Sequence, residues 1–191
     1  AERALLHGGE PHSRFRALAA KEWALSLTGE HERQRETLEE MERAAPSVGA
    51  AAEAQAACRA ANCATISGHH QTALECGARA LERASAAGAL RWIAMAHNEL
   101  ALLYAEQRAI ARATEHAREG VRAAAAHDDP WLVARAEATR GYVLASFERH
   151  TGALGSFERA SALFDASGDL RRAQQVRSNA LGTCCELGRF E

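Results

Sequence analysis

The sequence predicts an all-α protein, a right-handed stack of antiparallel helix pairs, and three observations support that prediction. Alanine, the strongest helix former, supplies about a quarter of the 191 residues. The chain has only 3 prolines, and β-branched residues are too scarce to build strands. Breaker residues recur every 40 positions, at Gly88, Asp128 and Gly168. A helix-turn-helix unit repeated at that period is typical of an array in which each pair buries its apolar side against the next.

Hydrophobic periodicity and the breakers between periodic segments predict nine helices. They cover residues 13–27, 30–45, 50–67, 70–87, 90–107, 109–126, 130–149, 151–167 and 170–187. Ser13 and Ser47 are candidate N-caps of the first and third helices. Asp129 followed by Pro130 is the strongest start signal, because proline suits the first helical position. Asp169 is the candidate N-cap of the last helix.

Small residues also recur at the 40-residue step, near the start of each second helix and two turns later. They are Ala73, Ala113 and Ala153, then Ala80, Gly120 and Ala160. Small side chains at a crossing let two helix axes approach to about 8 Å. An up-and-down bundle is the alternative architecture, but it gives no reason for a 40-residue period.

Charge and hydropathy exclude several classes of partner. The net charge is -2 and the pI about 6.5, so no overall positive field favours nucleic acid or anionic lipid. No apolar run approaches the roughly 20 residues that cross a bilayer. Residues 1–11 show no signal peptide. We therefore expect a cytoplasmic protein without nucleic-acid or membrane partners.

The sequence contains no recognisable catalytic motif. A phosphate-binding glycine loop, a His-Glu-x-x-His motif and a nucleophile elbow are all missing, so we expect no enzyme activity and no cofactor. Cys58, Cys63 and Cys76 lie near His69 and His70, which together could offer soft metal ligands. Their spacing does not fit a zinc knuckle, and cysteine is a normal small buried residue, so no metal site is expected.

Several in-phase residues resemble the tetratricopeptide repeat (TPR) signature. The third copy carries Arg140-Gly141, Leu144, Ala153, Phe157 and Ala160 where that signature has Leu-Gly, a large residue and Ala-x-x-x-Phe-x-x-Ala. The copies span approximately 13–47, 48–88, 89–128 and 129–168, with a partial copy at 169–191. The resemblance therefore implies a single TPR-like domain over 1–191. Residues 188–191 resemble the turn that opens a further second helix.

The copies are 40 residues long rather than the standard 34. In this respect they are similar to the arrays of large bacterial signal-transduction ATPases and transcription activators. The resemblance implies a protein- or peptide-binding scaffold, a regulatory segment of a larger bacterial signalling protein. A small-ligand sensor of a transcriptional or kinase-linked ATPase regulator is the alternative. Self-association through exposed repeat ends, and a basic partner docking on the acidic second helix, also stay open.

In the TPR family the first helix of each pair lines a concave groove. Carrying these positions over gives Arg16, Trp23, Gln55, Asn62, Asn98, Glu106, Arg135 and Tyr142 as expected partner-binding residues. The two members on each helix lie seven or eight residues apart, which is about two turns and places them on one stripe. On the third helix that stripe also includes Cys58 and Ile66. Amide side chains can pair with a peptide backbone, and aromatic rings can cover its side chains.

Overall fold

The computed structural model describes residues 11–188, and within that range the chain is helical with no strand. The helices are α1 (Pro11–Thr28), α2 (His31–Ala44), α3 (Ala50–Ile66), α4 (His70–Ala86), α5 (Leu90–Glu106), α6 (Ile110–His127), α7 (Pro130–Ser146), α8 (His150–Ala166) and α9 (Leu170–Glu186). A turn of 3-10 helix, Ala45–Ser47, lies between α2 and α3. These nine described helices match the nine predicted segments. Residues 1–10 and 189–191, including most of the predicted turn at 188–191, lie outside the described residues.

The turns after α3 through α9 share one backbone conformation. Each contains a residue with a left-handed φ between 57° and 76°, and these residues are spaced by 20. They are Gly68, Gly88, Arg108, Asp128, Glu148, Gly168 and Gly188. A residue in this conformation ends a helix, because the next amide can bond back to a free carbonyl of the last turn. The 40-residue repeat therefore consists of two helix-and-turn modules of 20 residues each.

Two of the predicted N-caps are confirmed. Asp129 accepts hydrogen bonds from the backbone amides of Trp131 at 3.0 Å and Leu132 at 3.3 Å. Asp169 accepts one from the amide of Arg172 at 3.2 Å. Each aspartate therefore satisfies amides that the helix itself leaves unpaired.

The other two predicted N-caps are wrong. Ser13 lies inside α1, which includes Pro11. Ser47 belongs to the 3-10 turn, and Gly49 with a φ of 125° precedes α3 instead. The Ser47 prediction fails because Ala45 is buried against the core. Burial of Ala45 keeps the chain in a tight turn past the end of α2, so α3 starts after Gly49.

The chain comprises two compact units, Ala1–Trp92 and Ile93–Glu191, with the boundary inside α5. In the first unit, large side chains of α1 and α2, among them Phe15, Leu18 and Met41, pack with small residues of α3 such as Ala52 and Ala56. The predicted single domain over 1–191 stays a prediction.

The second unit relies on alanine and phenylalanine. Ala101 and Ala105 of α5 pack with Ala113 and Ala117 of α6. Phe157 and Phe164 fill the space between α8 and the neighbouring helices α7 and α9, in a cluster that contains Ala134, Ala153, Ala160, Ala173 and Val176. All six predicted small positions, two of them in the first unit, are buried, as positions at helix crossings should be. Within residues 11–188, no helix is both long and apolar enough to span a membrane.

Candidate partner-binding surface on the first helices

The first helices of the pairs, α1, α3, α5, α7 and α9, are neighbours within each unit. In the first unit, the Nη1 atom of Arg59 on α3 donates to the carbonyl oxygen of Ala19 on α1 at 3.1 Å. The same guanidinium pairs with the buried carboxylate of Glu22. Gln34 of α2 donates to the other oxygen of Glu22 at 2.8 Å. Because both oxygens of Glu22 have partners, the buried charge is compensated.

The second unit repeats this arrangement. Arg135 of α7 pairs with the buried Glu99 of α5 at 2.9 Å, and Arg108 donates to the carbonyl oxygen of Ser146 at 2.7 Å. In both units an arginine on one first helix therefore covers a buried glutamate of the preceding first helix. The pattern was not recognised from the sequence. Its only signal is a Glu followed by an Arg about one repeat later.

In the first unit the predicted residues differ in exposure, and large apolar side chains are exposed on the same helices. Arg16 is exposed on α1, and Gln55 and Asn62 are half-buried on α3. Trp23, also predicted, is 47% exposed. Leu27, one turn further along α1, is 64% exposed, and Ile66 in the last turn of α3 is 62% exposed. Ile66 belongs to the predicted stripe on α3, whereas Leu27 was not predicted, although it lies four positions from Trp23 and so shares its stripe.

In the second unit the predicted residues divide into three groups. Glu106 and Tyr142 are exposed, and the Tyr142 side chain reaches 46%. Arg135 is half-buried, and Glu99 holds it in place. Asn98 is a wrong assignment, because it is only 1% exposed.

Gly120 explains why Asn98 is buried. A Cβ atom at position 120 would lie 2.6 Å from the Asn98 Oδ1 atom. The missing side chain therefore lets α6 come close enough to cover the amide. Neither Oδ1 nor Nδ2 of Asn98 has a hydrogen-bond partner within the described residues. Periodicity placed this residue on the correct helix, but it could not show the depth of the contact.

The cysteines and histidines considered for a metal site are not brought together. Cys58, Cys63 and Cys76 are buried, whereas His69 and His70 are exposed. Burial raises the pKa of the Cys63 and Cys76 thiols above the ordinary value, which makes them less reactive. Across residues 11–188 no group of three or more His, Cys, Asp or Glu side chains is arranged to hold a metal ion.

The fold resembles that of three solved structures. A Rap protein complexed with Competence and Sporulation Factor has a TM-score of 0.80 and 14% identity, covering 94% of this chain and 50% of its own. The apo form of RapI has a TM-score of 0.69 and 16% identity, covering 97% of this chain and 73% of its own. BtubC (BKLC) from P. vanneervenii has a TM-score of 0.65 and 16% identity, covering 100% of this chain and 87% of its own.

This chain spans half the length of the Rap protein complexed with the factor. No protein-family model matches the chain, and no curated protein matches its sequence. At identities of 14–16% the likeness concerns the fold. The predicted fold class is confirmed: the chain has an all-α, TPR-like helical-repeat fold.

Proposed function

We propose that this chain is a peptide- or protein-binding scaffold that holds its partner on the exposed side of the first helices. The exposure of Trp23, Leu27 and Ile66 in the first unit carries the proposal. Large apolar side chains left in solvent mark interaction surfaces when several share one face. Leu27 lies one turn from Trp23 on α1. Tryptophan is also among the residues that most often dominate binding energy.

The polar residues beside this apolar surface supply orientation. Gln55 and Asn62 are half-buried, so their amides are partly ordered before a partner arrives. Amide groups can donate to and accept from the backbone of an extended peptide. Arg59 is held by Glu22 and Ala19, so it loses little side-chain entropy if it contacts a partner.

In the second unit, Tyr142 supplies a ring and Glu106 a carboxylate, while Arg135 is preorganised by Glu99. Asn98 is no longer included, because its amide is covered. We extend the proposal to a regulatory rather than catalytic role, as a segment of a larger bacterial signalling protein. Support comes from the TPR resemblance and from the similar Rap protein, which is complexed with Competence and Sporulation Factor.

A small-ligand sensor has weaker support. In the first unit a cavity of about 180 Å³ is lined by Glu42, Ala45, Pro46, Glu53, Ala56, Ala57, Arg79 and Arg83. Pockets that hold drug-sized ligands are roughly 300–1,000 Å³. Both arginines are already paired, Arg79 with Glu42 and Arg83 with Glu53. The open apolar surface therefore fits a peptide better than this cavity fits a small ligand.

Peptide selection tests the proposal. A random peptide library is selected on the immobilised chain, and the affinity of the enriched peptides is then measured by fluorescence anisotropy. We expect Trp23→Ala to weaken binding by roughly 30-fold, because a binding hot spot contributes about 2 kcal/mol. Ile110→Ala is the matched control, since Ile110 is also 47% exposed but lies on a second helix. Failure to enrich any peptide, or equal affinities for the two variants, would contradict the proposal.

A further inference from the structure

The helix pair α5 and α6 carries a polar seam beside its alanine-packed interface. His97 of α5 and His116 of α6 approach with their Nδ1 atoms 2.8 Å apart. Tyr104 of α5 stacks on His116 with ring centroids 5.4 Å apart and planes 18° apart. Arg112 of α6 lies over the Tyr104 ring at 5.4 Å. The four side chains alternate between the two helices, and both histidine rings are half-buried.

The two imidazoles face each other nitrogen to nitrogen. Their ring centroids are 5.1 Å apart, close to the Nδ1–Nδ1 distance plus the two ring radii. The Nδ1 atoms therefore point at each other, at the separation of a hydrogen bond. One Nδ1 must carry the proton and the other must be bare, so at least one ring has to be neutral.

We propose that His97 and His116 form a pH-sensitive clamp between α5 and α6, closed while they share this hydrogen bond and open when both rings are protonated. Two imidazolium rings would place two N–H groups and two positive charges face to face. Beside the pair, Ala101 and Ala105 of α5 pack with Ala113 and Ala117 of α6, so repulsion between the charged rings would act on an interface of small side chains. The clamp does not depend on any bound partner.

The surroundings resist protonation of the pair. Burial, and then the neighbouring His116, lower the pKa of His97 to about 4. Burial also lowers the pKa of His116. The charged groups that act on these rings lie on α6. Glu115 and Glu119 favour the charged rings, whereas Arg112 and Arg122 oppose them. Glu119 is itself paired with Arg118 and Arg122, which weakens its attraction for a protonated ring.

The sign of the pH effect follows from these shifts. Between the ordinary histidine pKa of 6.5 and about 4, the unfolded chain binds a proton at His97 that the folded chain does not bind. Stability is therefore complete above about pH 6.5 and is lost as the pH falls toward 4. A midpoint near 4 corresponds to roughly 300-fold weaker proton binding than in an unperturbed histidine.

Histidine titration by NMR, combined with hydrogen exchange by mass spectrometry, tests the clamp. We expect the His97 ring to titrate near pH 4, well below the ordinary histidine pKa of 6.5. In acid, after correction for intrinsic exchange rates, the amides of α5 and α6 should lose protection before those of α8. The double variant His97→Gln/His116→Gln keeps an amide hydrogen bond but removes the titration, so it should keep that protection.

Two results would overturn the clamp. One is a His97 midpoint near the ordinary histidine pKa of 6.5, which is measured on the unaltered chain and needs no variant to fold. The other is loss of α5 and α6 protection in the double variant at the same pH as in the unaltered chain. That result would show that opening is independent of the pair.

Discussion

Gly141 of α7 is a position where the structure leaves almost no room for a side chain. A Cβ atom added there would lie 2.6 Å from both Cδ1 and Cε1 of Phe157 on α8. Carbon atoms in contact are normally about 3.5–4.0 Å apart, so the ring would have to move by about 1 Å. Phe157 is fully buried in the cluster with Ala134, Ala153 and Ala160, so it cannot turn toward solvent. The change Gly141→Ala therefore forces α7 and α8 apart.

The expected cost follows from two opposing effects. Overpacking a close-packed core costs about 1–3 kcal/mol, and two ring carbons in contact with buried neighbours favour the upper end. Replacing glycine by alanine inside a helix gains about 1 kcal/mol. The net loss for Gly141→Ala is then about 2 kcal/mol. For a chain of this length that lowers the Tm by about 4–8 °C.

Urea unfolding followed by circular dichroism measures this difference. Gly182→Ala on α9 is the matched control, because a Cβ atom there meets nothing within 4 Å. We expect that variant to gain about 1 kcal/mol. A second test adds Phe157→Leu, which removes the ring; Gly141→Ala should cost at least about 1 kcal/mol less in that background. Equal stability of the Gly141→Ala and Gly182→Ala variants would refute the packing argument.

Three further changes have defined outcomes in the same unfolding assay. Asp169→Ala removes an N-cap and the acceptor of the Trp131 indole N–H at 3.1 Å, so it should cost about 1–2 kcal/mol. Because the pKa of Asp169 is lowered to about 2, that difference should persist at pH 5 and shrink as the pH falls from about 4 to 2. Glu22→Ala leaves Arg59 without its carboxylate and should cost about 2–3 kcal/mol, less than a fully buried pair because Arg59 can reach water. Glu148→Gly relieves a left-handed φ of 60° and should stabilise the chain by about 0.5–1 kcal/mol; destabilisation would show that this turn is not strained.

The fold was predictable because the residues that start and end its helices act through their own backbone or side chain. Gly68, Gly88 and Gly168 end helices through their own backbone freedom, and Asp129 and Asp169 begin them through their own side chains. The 20-residue spacing was harder to recognise because Arg108 and Glu148 occupy turns where glycine would be expected. Nothing in these two side chains signals a left-handed backbone. The left-handed turns at these two positions can be inferred only from the equal lengths of the helices before and after them.

The candidate surface was less predictable because burial depends on a second helix. Asn98 and Tyr142 were assigned to the same kind of stripe, yet one is covered and the other exposed. The difference arises at Gly120, which lies 22 positions after Asn98 in the sequence and on another helix. The burial of the Glu22 and Glu99 carboxylates could not be predicted for the same reason. Their stability comes from arginines about one repeat away, and single-helix periodicity carries no information on that pairing.

The most direct test of the proposed binding surface is hydrogen exchange of the chain with and without a peptide selected on it. If the first helices hold the partner, the peptide slows exchange in α1 and α3 and leaves α2 and α4 unchanged. Trp23→Ala should abolish that protection at the same peptide concentration, whereas Ile110→Ala should retain it. Protection confined to the second helices α2 and α4 would contradict the account.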